Sequence, residues 1–176
     1  MLKELYSLEN VKFIQTLTNQ KTLLKKLGNP EKKLRCIHIT GTNGKGSVCA
    51  MIASVLMDAG YKIGMYTSPH LKKFNERIRI NNKLITDKEI VNLYLNIKPH
   101  IASQTFFETL ENSDFLNFRR AQKHATNFSS WSFFDITTAM AFLYFKEKDV
   151  DFVVLEVGLG GRLDSTNVVT PLISII

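Results

Sequence analysis

The sequence has little of what marks a secreted, disulfide-stapled or membrane-spanning protein. Its two cysteines, Cys36 and Cys49, are isolated, which excludes a disulfide framework and a CxxC site. Charged residues interrupt every apolar run before it reaches about 20 residues, the length that crosses a bilayer. The N-terminus lacks the basic start and apolar core of a signal peptide. We therefore predict a soluble, cytoplasmic protein with no membrane partner.

The charge balance favours acidic partners. There are 23 basic and 16 acidic residues, a formal net charge of +7, which suits nucleotides, poly-acids or nucleic acid. The N-terminal lysines are scattered among aliphatic residues, as on a solvated helix face, and no basic stripe with interleaved aromatic residues is present. We predict small acidic partners and no nucleic-acid partner.

The first half of the chain predicts the start of a parallel sheet. The 176 residues, 44% of them hydrophobic, correspond to one domain or a piece of one. Their patterns predict a strand at 34–40, a glycine-rich turn at 41–47, a helix at 48–59 and a strand at 61–66. A strand–turn–helix–strand unit is typical of α/β proteins. We expect a P-loop-type α/β fold, with a mostly parallel sheet and helices on both faces.

The other patterns are consistent with this fold. They predict a helix that ends at Gly28-Asn29-Pro30, a hairpin at 77–85, a helix capped by Thr86 and Glu89, an irregular insertion or mobile lid at 98–131, a helix at 132–148, and buried strands at 150–157 and 171–176. The chain stops inside the last of these strands. We therefore expect residues 1–176 to be part of a longer protein.

The glycine-rich turn predicts a phosphate-binding loop. Glycines let backbone N–H groups approach phosphate oxygens, and the following helix adds its positive N-terminal end. Lys45 would place a charge at the β- and γ-phosphates, and the Ser47 hydroxyl would reach phosphate or Mg²⁺. Gly46 separates Lys45 from Ser47, so the spacing departs from the strict Walker pattern. The alternative is a tight strand-to-helix turn without a ligand.

Four ordered motifs lie between residues 41 and 164. They are Gly41-Thr42-Asn43-Gly44-Lys45-Gly46-Ser47, Thr67-Ser68-Pro69-His70-Leu71, Phe74-Asn75-Glu76-Arg77-Ile78 and Leu155-Glu156-Val157-Gly158-Leu159-Gly160-Gly161-Arg162-Leu163-Asp164. Together they resemble the Mur ligase family, in its folylpolyglutamate synthase/dihydrofolate synthase branch. The resemblance implies an ATP-dependent ligase of folate metabolism that forms an amide bond to L-glutamate through an acyl phosphate. It also implies that residues 1–176 are the N-terminal part of the ATP-binding domain, and we expect a monomer.

The resemblance assigns the ATP and magnesium residues. It implies that ATP is bound by Thr42, Asn43, Gly44, Lys45, Gly46 and Ser47, with Lys45 as the catalytic charge, and that Mg²⁺ is bound by Ser68 and Glu156. Glu156 also fits on physical grounds, because it ends a buried strand, where ligands gather in open α/β sheets. Its alternative role is a solvated charge at a strand end, and that of Ser68 is a loop cap.

The resemblance further implies two stretches that contact the pterin of dihydropteroate or folate. One is Leu163-Asp164-Ser165. The other is Ser132-Phe133-Phe134-Asp135, which we prefer to Thr105-Phe106-Phe107-Glu108 because the expected helix follows it. Ser132 and Asp135 could also cap that helix. The glycines at 158–161 we assign to turn geometry, and 68–77 to a mobile loop whose residues Asn75 to Arg77 contact substrate or one another.

Several parts of the family's site are not in this sequence. The metal-binding histidine, a carbamylated lysine, the nucleotide-base contacts and a C-terminal domain are not found, so we expect the chain to be inactive alone. His38, His100 and His124 have no ligand spacing and are expected in the core or on the surface, whereas His70 could approach phosphate or be structural. The alternatives to a folate ligase are a UDP-muramyl-peptide ligase, a non-catalytic nucleotide-binding module and a charge-driven nucleic-acid binder.

Overall fold

A six-stranded sheet organises the chain. The computed structural model describes Leu5 and residues 17–101 and 131–176. The strands are β1 (Cys36–Ile39), β2 (Ile63–Tyr66), β3 (Ile78–Ile80), β4 (Lys83–Leu84), β5 (Phe152–Glu156) and β6 (Ile173–Ile175). Their order is β4-β3-β2-β5-β1-β6, with β2, β5, β1 and β6 mutually parallel and the β3–β4 hairpin antiparallel at one edge. The predicted mostly parallel α/β sheet is confirmed.

The described helices are α1 (Leu17–Lys26), α2 (Lys45–Asp58), α3 (Asp87–Ile101) and α4 (Phe133–Glu147), with 3₁₀ turns at Pro30–Lys33 and Phe74–Arg77. The prediction of an irregular stretch from residue 98 is wrong at its start, because 98–101 complete α3. The rest of that stretch up to residue 130, the competing motif at 105–108 and His124 lie outside the described residues, as does most of the chain before residue 17. No described helix is both long enough and apolar enough to cross a membrane.

The two faces of the sheet carry different helices, as β1 illustrates. Ile37 and Ile39 pack in one cluster with Cys49 and Ala53 of α2. Cys36, which points to the opposite face, belongs to the larger cluster that includes the buried side of α4. Alternate residues of a strand point to opposite faces, so helices cover both sides of β1. The predicted helices on both faces are confirmed.

Helix α4 packs against β2 at very short range. A Cβ atom at Gly64 would lie 2.7 Å from Cδ1 of Phe145, closer than real Cβ contacts come. The glycine therefore lets the Phe145 ring lie directly on the strand. At the other end of β2, the buried Tyr66 hydroxyl lies 3.0 Å from Oγ1 of Thr137, which provides a polar contact inside the same interface.

The hairpin is confirmed, but the prediction for the terminal strand is wrong. Asn81 and Asn82 connect β3 to β4 with φ values of 44° and 63°, the left-handed conformations that a two-residue type I′ turn requires. The stretch at 171–176 contains β6, which we predicted to be buried. It is an edge strand whose neighbour in the described sheet is β1, and Ile173 is 55% exposed.

The parallel strands bring their carboxyl ends to one edge of the sheet. Ile39 at the end of β1 is in register with Glu156 at the end of β5, and Tyr66 at the end of β2 is in register with Leu155. The connections that follow these three strands therefore leave the sheet side by side. Ligands of open α/β sheets bind in the crevice at this edge.

Candidate active site

The glycine-rich turn lies where β1 passes into α2. Gly41 and Gly44 have φ values of 141° and 77°, a region that side chains with a Cβ rarely adopt. Gly44 is the N-cap of α2 and has no side chain to cap the helix, so the first-turn N–H groups of α2 are available to a ligand. The structure gathers all six predicted ATP-binding residues, 42–47, at this turn.

Lys45 lies within the turn rather than away from it. Its ammonium donates to the backbone oxygen of Gly41 at 2.8 Å and approaches that of Thr42 at 3.5 Å. The positive charge is therefore held beside the same backbone that would surround a phosphate. This position suits the charge role that we predicted for Lys45.

Ser68 and Glu156 meet next to this turn. The carboxylate of Glu156 is 5% exposed at the end of β5, and its Oε2 accepts a hydrogen bond from the Ser68 N–H at 2.9 Å. A Cβ atom at Gly46 would lie 3.7 Å from Oε1 of Glu156, so the carboxylate borders the phosphate loop. The structure thus brings together the two predicted magnesium ligands and the predicted ATP loop.

The chemistry of this pair suits a hard cation. Mg²⁺ prefers carboxylate and hydroxyl oxygens, keeps several waters and is commonly shared with substrate phosphates. In the described part of the chain no hydrogen bond to Oε1 of Glu156 is found, and no cluster of three or more His, Cys, Asp or Glu side chains forms a metal cage. A single carboxylate beside a serine and a phosphate loop fits Mg²⁺ that is held jointly with a nucleotide.

The buried thiol of Cys49, beside this pair, is unreactive. Burial, together with the neighbouring carboxylate of Glu156, raises the pKa of Cys49 to about 12. The thiolate is the nucleophilic form of cysteine, so Cys49 remains a protonated core residue at neutral pH. Cys49 therefore offers no nucleophile at this site.

The two predicted pterin stretches adjoin one another. Asp135 accepts through Oδ2 from the backbone N–H and hydroxyl of Ser132 at 3.1 and 2.7 Å, and its own N–H donates to the Ser132 hydroxyl at 3.0 Å. Through Oδ1, Asp135 also accepts from the hydroxyl of Ser165 at 2.6 Å. The alternative reading of Ser132 and Asp135 as a helix cap is therefore correct, and the cap also joins the 132–135 and 163–165 stretches.

Aromatic side chains of the first stretch pack on the neighbouring loops. A Cβ atom at Gly158 would lie 2.5 Å from Cζ of Phe134, so this glycine makes room for the ring. The largely buried Phe133 ring lies 6.0 Å from that of Phe74 and 5.3 Å below the guanidinium of Arg77. In the second stretch Leu163 is 39% exposed. Phe134 and Leu163 are the more accessible apolar side chains of the two stretches.

The loop at 68–77 is held by its own polar residues. Glu76 accepts from the N–H groups of Leu71, Lys72 and Lys73 at 2.8–2.9 Å, and these bonds lower the pKa of its carboxyl. Asn75 donates to the backbone oxygen of Ile85 at 2.7 Å and to Asp87 at 2.8 Å. We left open whether Asn75 and Glu76 contact substrate or one another, and the structure shows both side chains bonded to the loop and its surroundings.

His70 also takes part in this loop. Its Nδ1 accepts from Nε of Arg77 at 2.9 Å, and its ring lies 6.4 Å from that of Phe74. The peptide bond between Ser68 and Pro69, just before it, is cis. Of the two roles predicted for His70, the structure shows the structural one.

Sequence reasoning missed one set of side chains near the site. His38, which we expected to be an ordinary core or surface residue, is buried and lies with Nε2 2.8 Å from Oγ1 of Thr166. Thr40 donates through Oγ1 to the backbone oxygen of Gly160 at 3.1 Å. His38 lies in β1 and Thr40 directly follows that strand, two residues further on, so both point to the same face. This spacing of two residues is the one sequence signal that could have indicated that His38 and Thr40 act on the same side of the sheet.

The fold and the site define a class of protein. A glycine-rich turn between a parallel strand and a helix, bordered by a carboxylate and a serine from neighbouring strand ends, is characteristic of phosphate-loop nucleotide-binding α/β domains. No family model matches the sequence. Its similarity to individual proteins is nevertheless extensive.

Two named relatives illustrate the similarity in sequence. The dihydrofolate synthase/folylpolyglutamate synthase of Bacillus subtilis is 46% identical over 161 residues, which are 91% of this chain and 33% of that protein. The dihydrofolate synthetase of Saccharomyces cerevisiae is 41% identical over 147 residues, 84% of this chain and 29% of that protein. The chain spans about a third of the length of the curated relatives it matches.

Solved structures show the same similarity in fold. The folylpolyglutamate synthase of Thermotoga maritima matches with a TM-score of 0.78 and 44% identity, over 99% of this chain and 37% of that one. A folylpolyglutamate synthase complex with AMPPCP and folate matches with a TM-score of 0.78 and 36% identity, over 99% of this chain and 38% of that one. The resemblance to the folylpolyglutamate synthase/dihydrofolate synthase branch is confirmed, and the chain is a homologue of these ligases.

Proposed function

We propose that this chain supplies the ATP-phosphate site and part of the acid-substrate site of a ligase that joins L-glutamate to dihydropteroate, to folates or to both. The observation that carries the proposal is the 2.9 Å contact between Ser68 N and Glu156 Oε2 at the border of the 41–47 loop. This contact unites three of the four motifs on which the resemblance rests.

The phosphate loop binds the nucleotide in this proposal. Its glycines leave N–H donors free, and Lys45 adds a positive charge at the transferring phosphoryl group. Ser68 and Glu156 would hold Mg²⁺, which supplies charge neutralisation at the phosphoryl oxygens when bound. ADP in a Mycobacterium tuberculosis folylpolyglutamate synthase and AMPPCP in other solved relatives support ATP as the nucleotide.

The acid substrate would lie along the 132–135 and 163–165 stretches. Their accessible apolar side chains, Phe134 and Leu163, suit the flat ring of a pterin. Folate bound in a solved relative supports this substrate class. The hydrogen bond from the Ser165 hydroxyl to Asp135 keeps the two stretches together, so they present one surface rather than two.

The reaction balances without a covalent enzyme intermediate. A carboxylate oxygen of the acid forms a bond to the γ-phosphorus of ATP while the bond to ADP breaks. The glutamate amine then forms a bond to the acyl carbon, phosphate departs and the amine proton goes to solvent. The chain holds the reactants in place and offsets phosphate charge, in agreement with the protonated state of Cys49.

The test uses the complete gene product with ATP, Mg²⁺ and L-glutamate, and either dihydropteroate or tetrahydrofolate as the acid. We expect a product heavier by one glutamyl residue in mass spectrometry and one phosphate released per product. Lys45→Ala should abolish turnover, whereas Lys146→Ala, an exposed lysine far along α4, should be neutral. Size-exclusion chromatography with light scattering and cell fractionation would check the monomeric, cytoplasmic enzyme that we propose.

Three results would contradict the proposal in different ways. Glutamate added to a UDP-sugar substrate and to neither folate acid would identify a muramyl ligase. Nucleotide binding without glutamate incorporation into any acid would indicate a non-catalytic module. Full activity of Lys45→Ala would show that the phosphate loop does not serve the reaction.

A further inference from the structure

Side chains of β1 and of the residue that follows it form hydrogen bonds with the segment after β5. His38 contacts Thr166, and Thr40 contacts Gly160. Ile37 and Ile39, which alternate with them along the chain, point to the α2 side. The strand that leads directly into the phosphate loop therefore also anchors the 158–166 segment.

The hydrogen bonds that join His38, Thr166 and Asp164 run in one direction. Thr166 Oγ1 lies 2.6 Å from Oδ1 of Asp164 and 2.8 Å from Nε2 of His38. A carboxylate only accepts, and a hydroxyl has a single hydrogen to donate. Thr166 therefore donates to Asp164 and accepts from His38, which must carry its proton on Nε2. Burial lowers the pKa of His38, which favours the neutral ring.

Asp164 is fully occupied by the protein itself. Oδ2 accepts from the N–H groups of Gly158 and Leu159 at 3.0 and 2.8 Å, and Oδ1 accepts from the N–H and hydroxyl of Thr166 at 2.9 and 2.6 Å. Each carboxylate oxygen offers about two acceptor positions, and all are used. The side chain is 2% exposed. Asp164 thus has no acceptor left for a pterin N–H.

The same segment continues to the other half of the acid site. Ser165, between Asp164 and Thr166, donates to Asp135 at the start of α4. A continuous set of hydrogen bonds therefore runs from the strand before the phosphate loop, through 164–166, to the cap of α4. Leu163, which precedes the set, is left accessible.

We propose that His38, Asp164 and Thr166 are positioning residues that hold the 163–165 stretch in its acid-binding shape beside the phosphate loop, and that Leu163 and the backbone of this stretch make the substrate contact. The inference rests on the proposed ligase function and deepens it. It reassigns Asp164 from direct pterin contact to support of the segment.

The test compares Thr166→Val, which keeps the shape but removes the hydroxyl, with Thr166→Ser, which keeps the hydroxyl. The complete gene product is assayed by steady-state kinetics, with each substrate varied in turn. Because the lost hydrogen bond to the charged Asp164 holds the 163–165 stretch in shape, we expect Thr166→Val to raise the KM for the acid about tenfold. The KM for ATP should stay within about twofold, and Thr166→Ser should restore the acid KM. His38→Gln, which keeps a donor near the Nε2 position, should resemble wild type more closely than His38→Leu.

A purely structural role would lower the melting temperature of Thr166→Val without changing the acid KM below that temperature. That result, or equal changes in the KM for acid and ATP, would overturn the inference while the wild type still ligates glutamate. A wild type without ligase activity would instead refute the proposed function. The acid dissociation constants of the same variants would then decide the positioning role, because equal binding by wild type and Thr166→Val would refute it.

Discussion

Replacing Glu156 by Gln separates the functional from the structural role of the buried carboxylate. The change keeps the size of the side chain and an oxygen that can accept from Ser68 N, which now lies at 2.9 Å. It removes the negative charge that would face Mg²⁺. The variant therefore perturbs one property of a group that is 5% exposed.

The two expected magnitudes are very different. Changing a charged acceptor to a neutral one weakens the hydrogen bond by about 1 kcal/mol, and relief of a buried charge acts in the opposite direction. We expect the free energy of unfolding to change by no more than about 1 kcal/mol. A metal at a phosphoryl oxygen is worth several kcal/mol in the transition state, so kcat should fall about a hundredfold or more.

The assay pairs urea unfolding with steady-state kinetics of the complete gene product across a range of Mg²⁺ concentrations. Glu147→Gln, the same substitution at an exposed site at the far end of α4, is the matched control. Wild-type kcat and Mg²⁺ dependence in Glu156→Gln would refute the metal role. A fall in stability of several kcal/mol would show instead that the carboxylate mainly supports the fold.

The other predictions concern stability. Gly64→Ala should lower the free energy of unfolding by about 1–3 kcal/mol in urea titrations, because its Cβ would lie 2.7 Å from the Phe145 ring; no change would mean that the ring moves freely. Ser132→Ala removes the hydroxyl of a buried helix cap and should lower the free energy of unfolding by about 1–2 kcal/mol. An unchanged melting temperature would show that the Ser132 cap does not stabilise the fold. For Glu89, burial raises the pKa, but the hydrogen bonds and ion pair with Lys148 and the capping bonds outweigh it and lower the pKa to about 2 from its ordinary value of 4.5. A depressed carboxyl pKa stabilises the fold above the unfolded value, so this contribution should disappear as the pH falls from about 4.5 to about 2; acid titrations in which Glu89→Gln and wild type lose stability in parallel would contradict it.

Local patterns predicted most of the architecture because they reflect local physics. The glycine-rich turn, the capping residues Thr86 and Glu89, and the Asn81-Asn82 hairpin each depend on backbone geometry within a few residues. The terminal strand lies where it was predicted, but its predicted burial is not observed among the described residues. Its apolar composition predicted burial, but the exposure of Ile173 depends on the strand's position at the sheet edge.

The candidate site was predicted as a set of motifs, without the contacts that join them. No pattern indicated that Asp164 accepts four hydrogen bonds from its own segment or that His38 points at Thr166. Residues 38 and 166 are far apart in the chain. A pairing at that separation depends on which strands become neighbours, and single-sequence periodicity does not contain that information.

By itself, the sequence predicted the class of sheet, the glycine-rich turn and the resemblance to folylpolyglutamate synthases and dihydrofolate synthases, because each is encoded in residue types at short spacing. Only the tertiary structure decided that Ser68 and Glu156 meet beside that loop, and that Asp164 serves its own segment. Parallel pairing of β2 and β5 aligns their carboxyl ends, and this alignment across the sheet, rather than any local preference, makes a site from separate motifs.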